Sequence, residues 1–314
     1  MKKKILVIGS LNIDQSIHVK EMPLEGQTIM GENLVFAAGG KGANQACAAG
    51  RLGADVTMLG CVGDDDFGRM QMESLRQAGV DISKLKVTKD AATGTAVIYV
   101  NERGNNCIVV AAGANQECDT AYLKENEKLF QEYEYILLQM EIPYDAVYYA
   151  IRQGKKAGCK VVLNPAPAPD SMPEDIWDKL HFITPNETEL MGLTGMPVSN
   201  QEEIKKAAES LLAKGVENVL VTMGEKGVMV VNKAGAAVYP ARTCSPVDTT
   251  AAGDTFNGGL LTALAEGRSV EEACRFGNTA SSITVTRKGA QSSIPDREET
   301  LEQMKDFCPA PEII

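Results

Sequence analysis

Short runs of β-branched and other apolar residues recur along the chain, at 5–8, 56–59, 135–138, 160–163, 182–184, 218–222 and 228–232. Several are apolar at nearly every position, the pattern of strands covered on both faces. Between many of them lie segments of helical spacing, at 43–52, 67–78, 145–157, 201–214 and 255–265. In the last, Phe256, Leu260, Leu261 and Leu264 fall at i, i+4, i+5 and i+8 and form one apolar face. Strands alternating with helices predict an α/β fold with a mostly parallel sheet and right-handed crossovers.

Two regions break this rhythm, 13–38 and 93–110, because their strand signals have no helix between them. The second carries a turn at Glu102, Arg103, Gly104 and Asn105. Together they predict a small antiparallel sheet set apart from the main one, a lid over a site. No linker divides the chain, so residues 1–314 are read as one domain carrying that lid.

Charge and composition exclude several function classes. Lys and Arg number 31 against 42 Asp and Glu, a net charge of −11. Such a surface makes nucleic acid and anionic membrane poor partners. No apolar run approaches the roughly 18 residues of a membrane span. Asn12 and Asp14 interrupt the apolar stretch after the N-terminal lysines before a secretory core is reached, so a cytoplasmic protein is expected. Eight cysteines without a CxxC pair, with His18 and His181 as the two imidazoles, predict free thiols rather than zinc or disulfides.

The strongest chemical signal is Asp248-Thr-Thr-Ala-Ala-Gly-Asp254-Thr-Phe-Asn-Gly-Gly259, a small-residue turn running into an amphipathic helix. The backbone amides of Ala252, Gly253 and Asp254 at a helix N-terminus favour an anion. Asp254 beside them suits a base that takes a hydroxyl proton during phosphoryl transfer, although an acid in a first turn also simply complements the dipole. A second signal, Gly39-Gly-Lys-Gly-Ala-Asn44, opens a helix. It is neither a phosphate-binding GxxxxGK[ST] loop, since Gly42 follows the lysine, nor a GxGxxG fingerprint. Bare backbone there admits a polyhydroxylated ligand, with Asn44 to bind its hydroxyls, or serves packing alone. A third, Thr184-Pro-Asn186-Glu-Thr-Glu189, follows a strand and suits either a hydrated Mg²⁺ or an ordinary capped helix start. Val221-Thr-Met-Gly-Glu-Lys-Gly227 is a strand and glycine turn, facing a nucleotide or forming a hairpin. Consecutive Asp64, Asp65 and Asp66 read as a helix cap.

In this order, GGKGAN near the start, TPNETE in the middle and DTTAAGDTFNGG near the end make the chain resemble the ribokinase-like (PfkB-type) sugar kinases, from about Lys4 to Asp306. The resemblance implies a three-layer α/β/α sandwich with a β-sheet lid. It also implies transfer of the ATP γ-phosphoryl group to the 5-hydroxyl of D-ribose, giving ribose 5-phosphate and ADP. Asp254 is then the base, with Ala251, Ala252 and Gly253 around the anion hole. Asn12, Asp14, Gly40, Lys41, Gly42, Ala43, Asn44 and Glu141 surround the sugar. Asn186, Thr222, Met223, Gly224, Glu225, Lys226, Gly227, Gly253 and Asn278 match the ATP positions, with histidine replacing Asn278 in some members. Mg²⁺ is implied on the phosphates, with Asn186 and Glu189 reaching it through water. K⁺ is implied as an activator near Asp248, Thr250, Thr284, Arg287, Gly289 and Ser293, bound mainly by backbone carbonyls. A homodimer paired through the lid is implied as well.

Other family substrates stand beside ribose: 2-deoxyribose, fructose, ketodeoxygluconate and nucleosides. A non-catalytic sugar sensor is the alternative of a different class, and the presence of both Asp254 and Gly253 argues against it.

Overall fold

The computed structural model describes residues 3–307 and 309–314. In chain order the elements are β1 (Ile5–Ile8), β2 (Asn12–Val19), β3 (Gly31–Gly39), α1 (Lys41–Arg51), β4 (Val56–Gly63), α2 (Asp66–Gln77), β5 (Leu85–Thr88), β6 (Gly94–Asn101) and β7 (Asn106–Ala111). There follow α3 (Thr120–Glu125), β8 (Tyr135–Leu138), α4 (Tyr144–Ala157), β9 (Lys160–Leu163), β10 (Phe182–Ile183), α5 (Glu187–Thr194) and α6 (Gln201–Ala213). The chain ends with β11 (Asn218–Thr222), β12 (Val228–Asn232), β13 (Gly235–Tyr239), α7 (Ala252–Ala265), α8 (Val270–Thr284), α9 (Arg297–Lys305) and β14 (Glu312–Ile313).

Ten strands form one sheet in the order β14-β13-β12-β11-β10-β9-β8-β1-β4-β5. It is parallel from β5 to β11, and antiparallel hairpins extend it through β12, β13 and β14. Period-two alternation sends β1 side chains to opposite faces. Leu6 and Ile8 pack with α3, α4 and α6, whereas Ile5 and Val7 pack with α1, α7 and α8. These two cores make the three layers. Every residue of α7 from Asp254 to Ala265 is buried, because α1 and α8 flank it. The single apolar face expected from Phe256, Leu260, Leu261 and Leu264 is thus part of a helix enclosed on all sides. Glycine permits that closeness: a Cβ on Gly258 would stand 2.5 Å from the Ala48 Cβ.

The second sheet has the order β3-β2-β6-β7. Its β2–β3 and β6–β7 pairs are antiparallel, as expected, but β2 and β6 run parallel. Both strands leave the main sheet in the same direction, after β1 and after β5, so their junction has to be parallel. No helix among the described residues is long and apolar enough to cross a membrane.

Candidate functional site

From β1 the chain order runs outward through β4 and β5, then returns at β8 and runs the other way through β9, β10 and β11. The switch lies between β1 and β8, and ligands of open α/β sheets bind at the carboxyl ends beside such a switch. A cavity of about 760 Å³ opens there. Its floor carries Asn12, Lys41, Asn44, Glu141 and Asp254, and its roof is the lid, through Asp14, Ile98, Val100, Ile108 and Val110.

The floor is built by close backbone contact. Gly40 has φ +86°, and a Cβ there would lie 2.6 Å from the Asn12 amide; one on Gly42 would lie 2.5 Å from the Ser10 amide. Helix α1 can therefore start directly against the loop after β1. Gly40 has no side chain to cap it, so Glu141 Oε2 does so from across the switch, accepting from Lys41 N at 3.0 Å and Ser10 Oγ at 2.6 Å. Asn12 Oδ1 accepts from Asn115 Nδ2 at 2.8 Å, and Asn115 Oδ1 accepts from Leu11 N at 2.8 Å. Gly42 and Ala43, expected at the sugar, are buried and do not line the cavity. Their amides donate to Ser10 Oγ and Ser10 O, at 3.3 and 2.9 Å. They set the approach of α1 to β1 instead.

Charge is concentrated around this cavity, on the floor and on Asp14 of the roof. Burial, then repulsion from Glu141 and Asp254, pushes the Asp14 carboxyl up to about 6, with Lys41 opposing. Burial works against the charge of Lys41, but Asp254, Glu141, Glu189 and Asp14 outweigh it and hold the ammonium above the ordinary lysine range.

At the start of α7, Ala251 adopts φ +59° and ψ +10°, a left-handed conformation rare for a residue with a Cβ. It turns the chain so that α7 begins abruptly. Of the three amides expected free, that of Ala252 donates to Thr249 O at 3.3 Å. Those of Gly253 and Asp254 have no backbone partner among the described residues. The Asp254 side chain is 7% exposed, with Oδ1 accepting from Gln45 Nε2 at 2.9 Å and Oδ2 from Asn44 Nδ2 at 3.0 Å.

Asn186 and Glu189 form a capping box on α5: Asn186 Oδ1 accepts from Glu189 N at 2.8 Å and Glu189 Oε2 from Asn186 N at 2.9 Å. Both also line the cavity. Glu189 keeps Oε1 outside the box, and burial raises its carboxyl above the usual range. One oxygen and one amide suit water-mediated contact with Mg²⁺; among the described residues no group of three acidic, His or Cys side chains forms a direct cage. Thr222 lines the cavity from the end of β11. Met223 is buried, Gly224, Glu225 and Lys226 form an exposed 3₁₀ turn, and Gly227 enters β12 with φ +95°. Asn278 does not line the cavity, since its amide donates to Tyr239 O at 2.9 Å and Pro240 O at 3.2 Å.

Two loops meet beside the α7 turn. Val285 O accepts from Val247 N and Asp248 N, and the Asp248 carboxylate accepts from Thr250 N and Gly289 N, each at 2.9 Å. Burial works against the Asp248 charge, but hydrogen bonds from Thr250 and Gly289 outweigh it and lower its carboxyl below the usual range. An anionic, partly enclosed oxygen site fits a monovalent cation. Around it, Thr284 Oγ1 donates to Ala280 O at 3.1 Å, Arg287 pairs with Glu299, and Ser293 Oγ donates to Ala290 O at 2.7 Å. Those side chains are engaged elsewhere, so carbonyls of this loop are the donors that fit. Asp65 caps α2, accepting from Gly68 N at 2.7 Å, as the acidic triplet suggested.

Sequence reading missed Ser10, Gln45, Asn115, Gln139 and Asn164, all buried polar side chains around the site. Gln139 and Asn164 each follow an apolar strand immediately, a polar residue at a carboxyl strand end, and that signal was available.

The family described as pfkB family carbohydrate kinase matches residues 2–297. A ribokinase from Haemophilus influenzae is 43% identical over 302 residues, covering 96% of this chain and 98% of its own length. A deoxyribokinase from Salmonella typhi is 38% identical over 295 residues, covering 94% and 96%. The structure of an Arabidopsis thaliana ribokinase complexed with ribose and ATP superposes with a TM-score of 0.91 at 33% identity, covering 98% of this chain and 100% of the other.

Proposed function

Because the chain belongs to the pfkB family of carbohydrate kinases, we propose that it transfers the γ-phosphoryl group of ATP to the 5-hydroxyl of D-ribose, releasing ADP. One observation carries this reading: a buried carboxylate, Asp254, stands in the first turn of α7 beside two amides with no backbone partner among the described residues, and faces a cavity whose other end is rich in polar groups. That is the arrangement an in-line transfer to an alcohol needs.

The ribose hydroxyls are bound by Asn12, Asp14, Lys41, Asn44 and Glu141, with the backbone of Gly40 closing that end. Asp254 accepts the proton of the 5-hydroxyl as its oxygen bonds to the γ-phosphorus. The bond from that phosphorus to the bridging oxygen breaks, and ADP leaves with the electron pair. The Gly253 and Asp254 amides, aimed by the Ala251 turn and Ala252, face the charge on the transferring group; one such donor is worth about 10²–10³ in rate. Thr222 and the turn from Met223 to Gly227 lie along the nucleotide's side of the cleft, with Asn186. Mg²⁺ supplies neutralisation of phosphate charge, with Asn186 and Glu189 reaching it through water. K⁺, held by Asp248 and loop carbonyls, supplies rigidity to the turn that aims the amides.

Exposed apolar residues on the lid, among them Leu34, Val35 and Val109, support pairing with a second copy. A cytoplasmic setting belongs to the same reading. The second reading, 2-deoxyribose, is favoured by the 38% identical deoxyribokinase. ADP release is to be measured with D-ribose, 2-deoxyribose, fructose and adenosine, each with K⁺ and with Na⁺. Fastest turnover on ribose, raised by K⁺, is expected. Faster turnover on 2-deoxyribose transfers the assignment to that sugar, and no turnover on any overturns the kinase reading of the site.

A further inference from the structure

We infer that the buried amide of Gln45 is a positioning residue that divides the work between the Asp254 oxygens, anchoring Oδ1 and leaving Oδ2 to take the proton. The inference rests on the reading of Asp254 as the base.

Asn44 and Gln45 are neighbours in α1, yet they stand differently. Asn44 lines the cavity; Gln45 is fully buried behind Asp254 and does not. Gln45 Nε2 donates both its protons, to Asp254 Oδ1 at 2.9 Å and to Asn164 Oδ1 at 3.0 Å. Its Oε1 accepts from Gln139 Nε2 at 2.6 Å. Asn164 Nδ2 in turn donates to the Thr184 carbonyl at 2.9 Å. A backbone carbonyl can only accept, so the orientation of every amide in this chain follows from it. Turning Gln45 over would set its Oε1 against the oxygens of Asp254 and Asn164, and its NH₂ against that of Gln139. Oδ1 is thus held from a rigid interior.

Oδ2 has a looser partner. Asn44 Nδ2 donates to it, but Asn44 Oδ1 is buried with no hydrogen-bond partner among the described residues. An arriving hydroxyl has one proton to donate and can offer it to Oδ2 on the cavity side, leaving Asn44 Oδ1 to accept from a second hydroxyl of the same ligand. The charged groups facing Asp254 are Lys41 of α1, Asp14 of β2, Glu189 of α5 and Glu141 after β8, with Lys288 across the cavity; all stay unchanged in the variants below.

The test uses the full chain with ATP, Mg²⁺ and ribose, comparing Gln45→Leu, Gln45→Glu and Gln139→Leu with Asp254→Asn as control. Gln45→Leu is expected to lower kcat by about 10²-fold, the cost of a misplaced reacting group, with ribose KM within about threefold. The acidic limb of its kcat–pH profile is expected at higher pH, because a carboxylate that loses a donor holds its proton more tightly. Gln45→Glu should move the limb further, since a like charge then stands beside Oδ1. Gln139→Leu touches neither Asp254 nor the cavity and should act in the same direction more weakly. A limb unmoved in every folded variant, with any loss of rate following loss of folded protein, overturns the inference. If Gln45→Leu does not fold, isosteric Gln45→Glu and the remote Gln139→Leu decide by the same limb. Turnover retained in Asp254→Asn overturns the base reading instead; an inactive control with unmoved limbs overturns this inference alone.

Discussion

Replacing Asp14 by asparagine should stabilise the ligand-free protein while weakening sugar binding. The Asp14 carboxylate makes no hydrogen bond among the described residues, is partly buried on the inner side of the lid, and faces Glu141 and Asp254. These pressures move it from an ordinary 3.8 to about 6. At about 1.36 kcal/mol per pH unit, that interval corresponds to about 3 kcal/mol. The folded value lies above the unfolded one, so between about pH 4 and 6 the folded state binds more protons. Stability is therefore full below about pH 4 and falls as pH rises through about 6. Above that, ionised Asp14 costs up to about 3 kcal/mol, which the neutral amide does not incur. With an unfolding entropy of about 2.1 cal/mol/K per residue, the gain in Tm near pH 7.5 is about 4–5 °C. Thermal melts without sugar from pH 4 to 8, for the natural chain and Asp14→Asn, read it directly. A gain at neutral pH that vanishes near pH 4 is expected, together with weaker ribose binding by calorimetry. An equal or lower Tm at pH 7.5, or a gain of the same size at both ends, refutes the reasoning.

Asp254→Asn should keep ribose and ATP binding, because the unpaired Asn44 Oδ1 can turn to accept from the new amide, while kcat falls about 10²–10⁴-fold; steady-state kinetics with calorimetry separates the two. Gly42→Ala forces a Cβ to 2.5 Å from Ser10 N and 2.6 Å from Gly9 C, both backbone, and should cost at least about 1–3 kcal/mol, read by denaturant unfolding. Asp248→Ala removes the acceptor that ties Thr250 and Gly289, and turnover should then respond equally to K⁺ and Na⁺. Ribose should slow amide exchange across Gly94–Asn101 and Asn106–Ala111 by closing the lid; unchanged exchange there contradicts a lid role.

The main sheet was legible because its strands are buried on both faces and so read as unbroken apolar runs. Asn12, Asp14 and Lys41 came only with the family resemblance; the residues themselves showed the bare backbone of the glycine run, which the close approaches of Gly40 to Asn12 and of Gly42 to Ser10 account for. Helix α8 escaped notice because its stretch is rich in small and polar residues such as Gly277, Thr279 and Ser282, buried against α7 rather than in an apolar stripe. The parallel β2–β6 junction was not legible, because local alternation says nothing about which strands two separate insertions will join. Gln45, Gln139 and Asn164 look like surface residues by type. Only the hydrogen bonds that join Gln139 and Asn164 to Gln45, and Gln45 to Asp254, drawn from three places far apart in sequence, show what they hold.

The most direct test of phosphoryl transfer to the 5-hydroxyl follows the product itself. D-ribose labelled with ¹³C at carbon 5 is incubated with the protein, ATP, Mg²⁺ and K⁺, and the ¹³C spectrum is read for coupling to phosphorus. Coupling at carbon 5, growing in step with ADP, is the result the account predicts. ADP formed without sugar dependence, or ribose phosphorylated at another position, would contradict it.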